Sequence, residues 1–502
     1  MKSFAARCGV DDAARQADCA QVLASVREQR LSRVRIAWCD LLGQLRCKTL
    51  MVGALEGALE SALHSGIGMV GTLLLKDSAD RTAFPVFAAD AAQQLPGFAQ
   101  AANLQLLPDP ASFGLLPWCE GTGWMRAEPF FADGRPASFD TRRVLQQALA
   151  TLALRGFGLR CGLEVEFHVY RVNAQPLDPA LAGWPGPAPE VSLLHPGYRM
   201  LSELEADRCD EVLRIVQHTA EGLGLPLHSL EIEFGPSQFE AVFDATDALT
   251  AADQMVRFRS GVAQALARAG YHASFVCRPP FPHAMASGWH LHQSLVDLSD
   301  GANAFMRDSP APGSGAQDAA HALSDAGRHW LAGLLAHGRA MAPLCTPTID
   351  GYGRFRPNAL APQSVCWGRD NRGAMLRVCG GAGGGAGDPA TRIENRIGEP
   401  AANPYLYIAA QVHAGLDGLD RTLDAPPASE APYDVAYAGA STPLPSSLSE
   451  ALQALLDDRT LCAGFGQSLV DWFVRIKRHE LARYEAAEDR AEWLRREYFG
   501  RC

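Results

Sequence analysis

The chain has 502 residues, too many for one ordinary domain. Its 47% apolar and 20% charged residues place it among folded globular proteins rather than disordered or fibrous ones. A formal net charge of -11 argues against nucleic acid or an anionic membrane as the main partner, though small anions need only local positive charge.

The 13 cysteines form no C-x-x-C pair and no zinc-like His/Cys spacing. The start, MKSFAARCGVDDAARQ, lacks the apolar core of a signal peptide, and no apolar run is long enough to span a membrane. Reduced thiols and a cytoplasmic location are therefore expected.

In chain order, residues 31–50 (LSRVRIAWCDLLGQLRCKTL) read as a hairpin. Val34, Ile36 and Trp38 alternate, and Leu42-Gly43 suits the turn. A helical piece from Leu55 to His64 follows. Next comes a lone G-x-G-x-x-G, Gly66 to Gly71. A dinucleotide fingerprint needs a strand before it and a helix after, whereas here a helix precedes and the apolar run Thr72–Leu75 follows, so it reads as a turn. No Gly-Lys pair exists, so a Walker A loop is absent. A well-marked helix starts after Asp140 as N-cap. Val144, Leu145, Ala148, Leu149 and Leu152 form its apolar stripe, and Gly156 stops it. The expected domains are therefore 1–136 and 137–502. The stretch GGAGGGAGDPAT (380–391) reads as a flexible loop.

At least four segments of the second domain alternate with period 2. In LRCGLEVEFHV (159–169), Leu159, Cys161, Leu163, Val165, Phe167 and Val169 are apolar, while Arg160, Glu164, Glu166 and His168 are polar. Both glutamates thus share one face of a strand, about 6–7 Å apart. In HSLEIEF (228–234), Glu231 and Glu233 oppose Leu230, Ile232 and Phe234, and in the QFEAVF that follows Gln238 and Glu240 share a face. In SGWHLHQSL (287–295), His290, His292 and Ser294 oppose Trp289, Leu291 and Leu295. In TRIENRI (391–397), Arg392, Glu394 and Arg396 stand together. Each strand alone fits the wet face of an antiparallel sheet. A wet face would carry Lys, Thr and Ser, however, whereas here Glu dominates with Arg and His. Clustered carboxylates with His suit Mg²⁺ or Mn²⁺, and arginines beside them suit phosphate, which points to metal-assisted phosphoryl transfer.

GLEVEF, EFGPSQFE, ASGWHLHQSL, DGYGRFRP, RDNRGAMLR, RIENR and AANPYLYIAA, in this order, resemble the glutamine synthetase family over about residues 30–480. The resemblance implies an α+β fold: a small N-terminal β-grasp domain and a catalytic domain on a curved antiparallel sheet. It implies an ATP-dependent ligase that joins an amine to the γ-carboxylate of glutamate through an acyl phosphate. It further implies two or three Mg²⁺ or Mn²⁺ ions per site and a homo-oligomeric ring of six or twelve subunits. By motif, Glu166, Glu233 and Glu240 would hold the metal beside the amino acid, Glu233 being preferred to Glu231 for its spacing to Glu240. Glu164, His290 and Glu394 would hold the metal beside the nucleotide phosphates. Arg354 and Arg396 match positions that hold glutamate. Arg372, Arg377 and Arg392 match positions on the ATP phosphates and the transferring phosphoryl, with Arg372 and Arg396 acting in catalysis. His292 and Ser294 match the nucleotide side.

Departures from the family pattern carry information. Met285 and Ala286 stand where a glutamine synthetase has the Asn-Gly pair that holds the substrate amino acid. Leu360 stands where it has a flap acid that helps deprotonate ammonium. The implied amine is therefore larger than ammonia, the alternatives being an authentic glutamine synthetase and a non-catalytic relative. Tyr433 lies near the region where the family carries a nucleotidylated tyrosine. Asp77 and Asp80 lie near the expected ammonium-site loop and receive no role.

Overall fold

The computed structural model describes all residues except 1–2, 53–55, 174–177, 308–321, 358, 381–386 and 435–441. Strands β1 (Arg33–Cys39) and β2 (Leu45–Met51) form the expected hairpin. Its turn is closed by the Asp40 carboxylate, which accepts from the amides of Leu42 and Gln44. Gly43 sits at φ +70°, and a Cβ there would lie 2.7 Å from Pro404, so both conformation and space demand glycine. The helix Glu56–Ser65 follows; its expected start at Leu55 lies outside the described residues. The Gly66–Gly71 segment is not simply a turn. It carries strand β3 (Ile67–Val70), which pairs with β4 (Asn103–Pro108). Period 2 over only four residues gave too little signal to separate strand from turn. The short β5 (Gly114–Leu115) and the long β6 (Thr122–Phe130) complete the sheet, with β6 parallel to β1 and antiparallel to β4.

The helix Thr141–Ala153 is capped by Asp140 and leads into β7 (Phe157–Val172), the spine of a nine-stranded sheet. Here β7 pairs antiparallel with β8 (Val191–Ser192), β10 (Gln238–Asp247), β11 (Tyr271–Ser274) and β12 (Trp289–Asp297). Beyond β10 lies β9 (Leu227–Ile232). A short β13 (Ser364–Val365) stands apart, pairing with Thr442–Pro443. Beyond β12 the sheet continues through β16 (Arg392–Asn395), β15 (Leu376–Cys379) and β14 (Trp367–Arg369), the last pair being parallel. The odd residues of β7 from Leu159 to Val169 are buried. Phe167 packs against Phe239, Phe258 and Phe275, and Phe258 comes from the Ala248–Arg268 helix that covers this face. Each such ring contributes about 1.5–3 kcal/mol by burial.

The opposite face is not a wet one. Glu233, Glu240, His290 and Glu394 are all buried, and His168, read as polar-facing, is fully buried with its Nδ1 on the Ser287 hydroxyl. The strand expected over 228–234 ends at Ile232, so Glu233 stands beyond it and Phe234 is exposed rather than core-facing. Of the glycine-rich 380–391 stretch, residues 381–386 lie outside the described residues.

The helix Gln467–Glu485 is fastened to the segment that follows β3. The Trp472 indole donates to the Leu74 carbonyl at 2.7 Å, and His479 and Arg483 both contact the buried Asp77 carboxylate at 2.9 Å. Asp80 pairs with Arg46 and Arg501. Asp77 and Asp80 thus hold a structural seam. All 13 cysteines are free. Among the described residues, no helix is long and apolar enough to cross a membrane.

Candidate active site

Register brings the acids together. On adjacent strands β7, β10 and β9, Glu166 lies opposite Glu240, and Glu240 opposite Glu231. On the other side of β7, Glu164 lies opposite His290, and across β12 and β16 His292 lies opposite Glu394, which in turn faces Arg377. Like charges directly opposite each other destabilise a sheet, so the row needs compensation from cations or protons.

Part of the compensation is built in. The Glu164 carboxylate takes hydrogen bonds from both histidines, His290 Nδ1 at 3.2 Å and His292 Nε2 at 2.9 Å. The tautomers follow from the arginines behind them. Arg354 donates to His290 Nε2 at 3.3 Å, and Arg392 donates to His292 Nδ1 at 3.1 Å, leaving the other ring N–H of each histidine for Glu164. Burial alone would raise Glu164, but these bonds outweigh it and hold the carboxylate well below its usual range. Glu394 is likewise penalised by burial, yet Arg396 and His290 bring it down to about 2. Arg377 donates to its Oε2 at 3.0 Å, and Arg396 contacts its Oε1. Burial, with Arg396 nearby, pulls His290 down to about 4, so the imidazole is neutral, the form a metal ligand requires.

The other half of the row is less fully compensated. Burial first, then neighbouring Glu233, raises Glu166, although Arg354 and the Gly288 amide at 2.9 Å oppose the rise. Glu240 is raised further by burial and by Glu164, Glu166, Glu233 and Glu231 together. Buried acids pushed up by mutual repulsion are what a divalent cation relieves.

Among the described residues, two groups of donors each lie within 4.8 Å: Glu164, His290 and Glu394, and separately Glu166, Glu240 and His290. The first is the set expected beside the nucleotide. The second shares Glu166 and Glu240 with the set expected beside the amino acid and adds His290. Because β9 ends before Glu233, that carboxylate turns to accept the amide of Phe234 at 2.9 Å. Glu231 accepts instead from the Ser229 hydroxyl. Oxygen-rich sets with one imidazole suit Mg²⁺ or Mn²⁺ better than soft metals.

The remaining candidates are distributed around this cluster. Arg354 is buried, donating also to the carbonyls of Arg396 and Gly398. Arg396 donates to the carbonyls of Arg372 and Leu360. The exposed Arg372 side chain lines an open cleft of about 430 Å³ with Arg369, Asn371 and Glu430. Arg377 is shared between Glu394 and Asp370. Ser294 is half-buried on β12, opposite Arg160. Met285 packs near Gly235, and the Ala286 carbonyl accepts from Gln238. Leu360 lies at φ +50° with its side chain exposed. The Tyr433 hydroxyl is engaged by the Ala361 carbonyl at 2.9 Å.

Sequence reasoning gave no role to Gln238, which clamps Glu166 Oε2 at 3.2 Å and the Ser287 hydroxyl at 3.1 Å. The signal was present, since Gln238 shares Glu240's face. It also missed Asp370, whose pairing with Arg377 depends on the parallel β14–β15 contact.

The family model described as glutamine synthetase, catalytic domain, matches residues 138–496. The chain is 37% identical to the gamma-glutamylanilide synthase of Acinetobacter sp, over 95% of each chain. It is 31% identical to the gamma-glutamylethanolamide synthetase of Streptomyces coelicolor, over 94% of this chain and 93% of that one. A solved GmaS/ADP complex superposes with a TM-score of 0.73 at 28% identity, covering 95% of this chain and 98% of that chain.

Proposed function

The chain belongs to the glutamine synthetase family, and from that premise we infer that it is an ATP-dependent ligase joining an amine to the γ-carboxylate of glutamate. A carboxylate oxygen is a poor leaving group at neutral pH. Phosphorylation by ATP gives an acyl phosphate, which the amine attacks, and the products are the γ-glutamyl amide, ADP and phosphate. Two or three Mg²⁺ or Mn²⁺ ions, held by Glu164, His290 and Glu394 and by Glu166 and Glu240 with Glu233 beside them, would neutralise charge on the phosphoryl in flight.

The protein's own groups do the positioning. Arg354 and Arg396 hold glutamate. Arg372, Arg377 and Arg392 lie toward the nucleotide phosphates, with His292 and Ser294 on the nucleotide side. Arg396 already touches Glu394, so it reaches both the acyl and the metal side of the reaction. We place the division between the N-terminal and catalytic domains at 136/137 and expect a ring of six or twelve subunits. Sedimentation at assay concentration checks this, and a fully active monomer would contradict it.

The observation that carries the amine assignment is Leu360. Where the family pattern places a proton-accepting flap acid, this chain has an exposed aliphatic side chain. An alkylamine with a pKa of about 10.4 is almost entirely protonated at pH 7, and supplying its neutral form costs about 4–5 kcal/mol without a base. A weakly basic amine arrives neutral and has no such need. Met285 and Leu360 also give apolar surface to an amine with a hydrophobic body. The relative named for an anilide product is consistent with this choice. We therefore propose a partly apolar, weakly basic amine of the aromatic type as the preferred nucleophile. The test supplies ATP, Mg²⁺ and glutamate with aniline, ethanolamine or ammonium singly, and identifies the amide by mass. Formation of γ-glutamylanilide coupled to ADP release is expected. Glutamine as the dominant product would restore the ammonium-using alternative.

A further inference from the structure

Away from the candidate active site, a cavity of about 330 Å³ lies between the β1–β2 hairpin and the Ala248–Arg268 helix. Its wall includes four arginines, Arg35, Arg257, Arg259 and Arg501, and no aspartate or glutamate. Three of the four are committed elsewhere. Arg259 donates to the carbonyls of Leu42, Gly43, Pro400 and Ala402, which fastens the hairpin turn to the catalytic unit. Arg501 is held by the Ser78 carbonyl and by Asp80. Arg35 donates to the Gln264 amide oxygen at 2.7 Å and, more weakly, to the Cys119 sulfur.

Arg257 differs. Among the described residues it donates no hydrogen bond and pairs with no carboxylate at contact distance; its guanidinium stands 5.5 Å from the Trp124 ring centroid. The nearby Asp253 carboxylate is taken by Arg126, Arg142 and the Tyr405 hydroxyl. Burial, with Arg126 adjacent, pulls the Arg257 pKa down, as expected of a half-buried cation short of a counter-charge. A guanidinium partly withdrawn from water and short of a counter-charge gains from a bound anion. Beside it, Trp118, Trp124 and Leu116 supply flat and aliphatic wall.

We propose that this cavity is a binding site for a small aromatic monocarboxylate, its carboxylate on Arg257 and its ring against the tryptophans. A planar guanidinium accepts a carboxylate in bidentate fashion, and one uncommitted arginine fits one negative charge. The volume lies at the low end of small-molecule sites, which limits the ligand to a single ring with a short substituent. The site is separate from the residues assigned to glutamate, ATP and metal, so its occupancy can be read without turnover.

The test is calorimetric titration of the full-length protein with benzoate, with benzamide and inorganic phosphate as probes of charge and shape. Two variants accompany it: Arg257→Gln removes the cation, and Ala263→Leu fills the cavity from the helix while keeping every charge. Saturable one-to-one benzoate binding is expected, at least tenfold weaker in both variants, with both retaining the ligase activity of the unmodified protein. Absence of saturation up to about 10 mM benzoate in the unmodified protein would overturn the proposal. So would equal binding by both variants. Benzamide binding as tightly as benzoate would overturn the role of Arg257, and phosphate binding in place of benzoate would overturn the aromatic ligand.

Discussion

Arg396 donates to the backbone carbonyl of Leu360 at 3.2 Å. The same guanidinium contacts Glu394 and the Arg372 carbonyl, so the segment carrying Leu360 is fastened to the metal-side cluster through its main chain while its side chain stays free. A residue placed this way can change substrate choice with little effect on folding. Leu360→Glu is expected to raise kcat/KM for ammonium relative to an aromatic amine by about tenfold, or about 1.4 kcal/mol of barrier, with Tm nearly unchanged. Steady-state kinetics with both nucleophiles checks this, and an unchanged ratio would remove Leu360 from the specificity argument.

Glu240→Gln tests the repulsive row. A carboxyl whose folded pKa is raised imposes no penalty below its ordinary value of 4.5, and destabilises the fold increasingly as pH climbs above it. The amide removes that charge at similar volume. Without divalent metal, the variant should therefore match the parent near pH 4.5 and exceed it in Tm as pH rises toward neutrality. It should also lose the Mg²⁺-induced Tm increase and at least about 100-fold of activity, since a ligand is missing. Thermal melts with and without Mg²⁺ across pH are the measurement; a variant that keeps the metal-induced increase was not altered at a ligand.

Gly288→Ala tests packing behind the cluster. A Cβ there would sit 2.4 Å from an Arg354 guanidinium nitrogen and 3.0 Å from His290 Nε2. Arg354 is clamped by two carbonyls and His290, so it cannot swing aside without releasing the histidine. Activity should fall about 100-fold, as expected when a positioned group shifts by about 1 Å, while the fold persists by circular dichroism. Full activity would show that Arg354 has more freedom than its hydrogen bonds imply.

A structural histidine gives a pH prediction of the opposite kind. His337 lies between Asp458 at 2.6 Å and Asp417 at 3.0 Å. Burial lowers its pKa, but hydrogen bonds to the two aspartates outweigh burial and raise it above 6.5. A raised histidine contributes its full stability below the ordinary value and loses it as pH rises through the folded value. His337→Gln should therefore cost about 1.5–3 kcal/mol below pH 6 and progressively less above pH 6.5. Urea denaturation of both proteins across this range checks the sign; a variant penalty that grows with pH would reverse it.

The sequence revealed the strands that carry chemistry because alternation survives in their residues: Leu163, Val165 and Phe167 face the core while Glu164 and Glu166 face the cluster. It could not reveal which acids become neighbours, because that depends on register between strands far apart in the chain. Glu240 meeting both Glu166 and Glu231 is a property of β7, β10 and β9 together. The end of the strand that leads to Glu233 was hidden as well: alternation continues on paper past Ile232, but the strand ends there and the Glu233 carboxylate accepts its neighbour's amide. Asp77 was unreadable because its partners, His479 and Arg483, come from the far end of the chain, as does Arg501, one of the two partners of Asp80.

The most direct measurement of the central claim is the ratio of kcat/KM for aniline to that for ammonium, taken on one preparation with saturating ATP, Mg²⁺ and glutamate. An exposed Leu360 in place of a flap acid predicts a ratio of at least about ten in favour of aniline, since the neutral aromatic amine needs no base. A ratio of one or less, with glutamine as the product, would contradict the account.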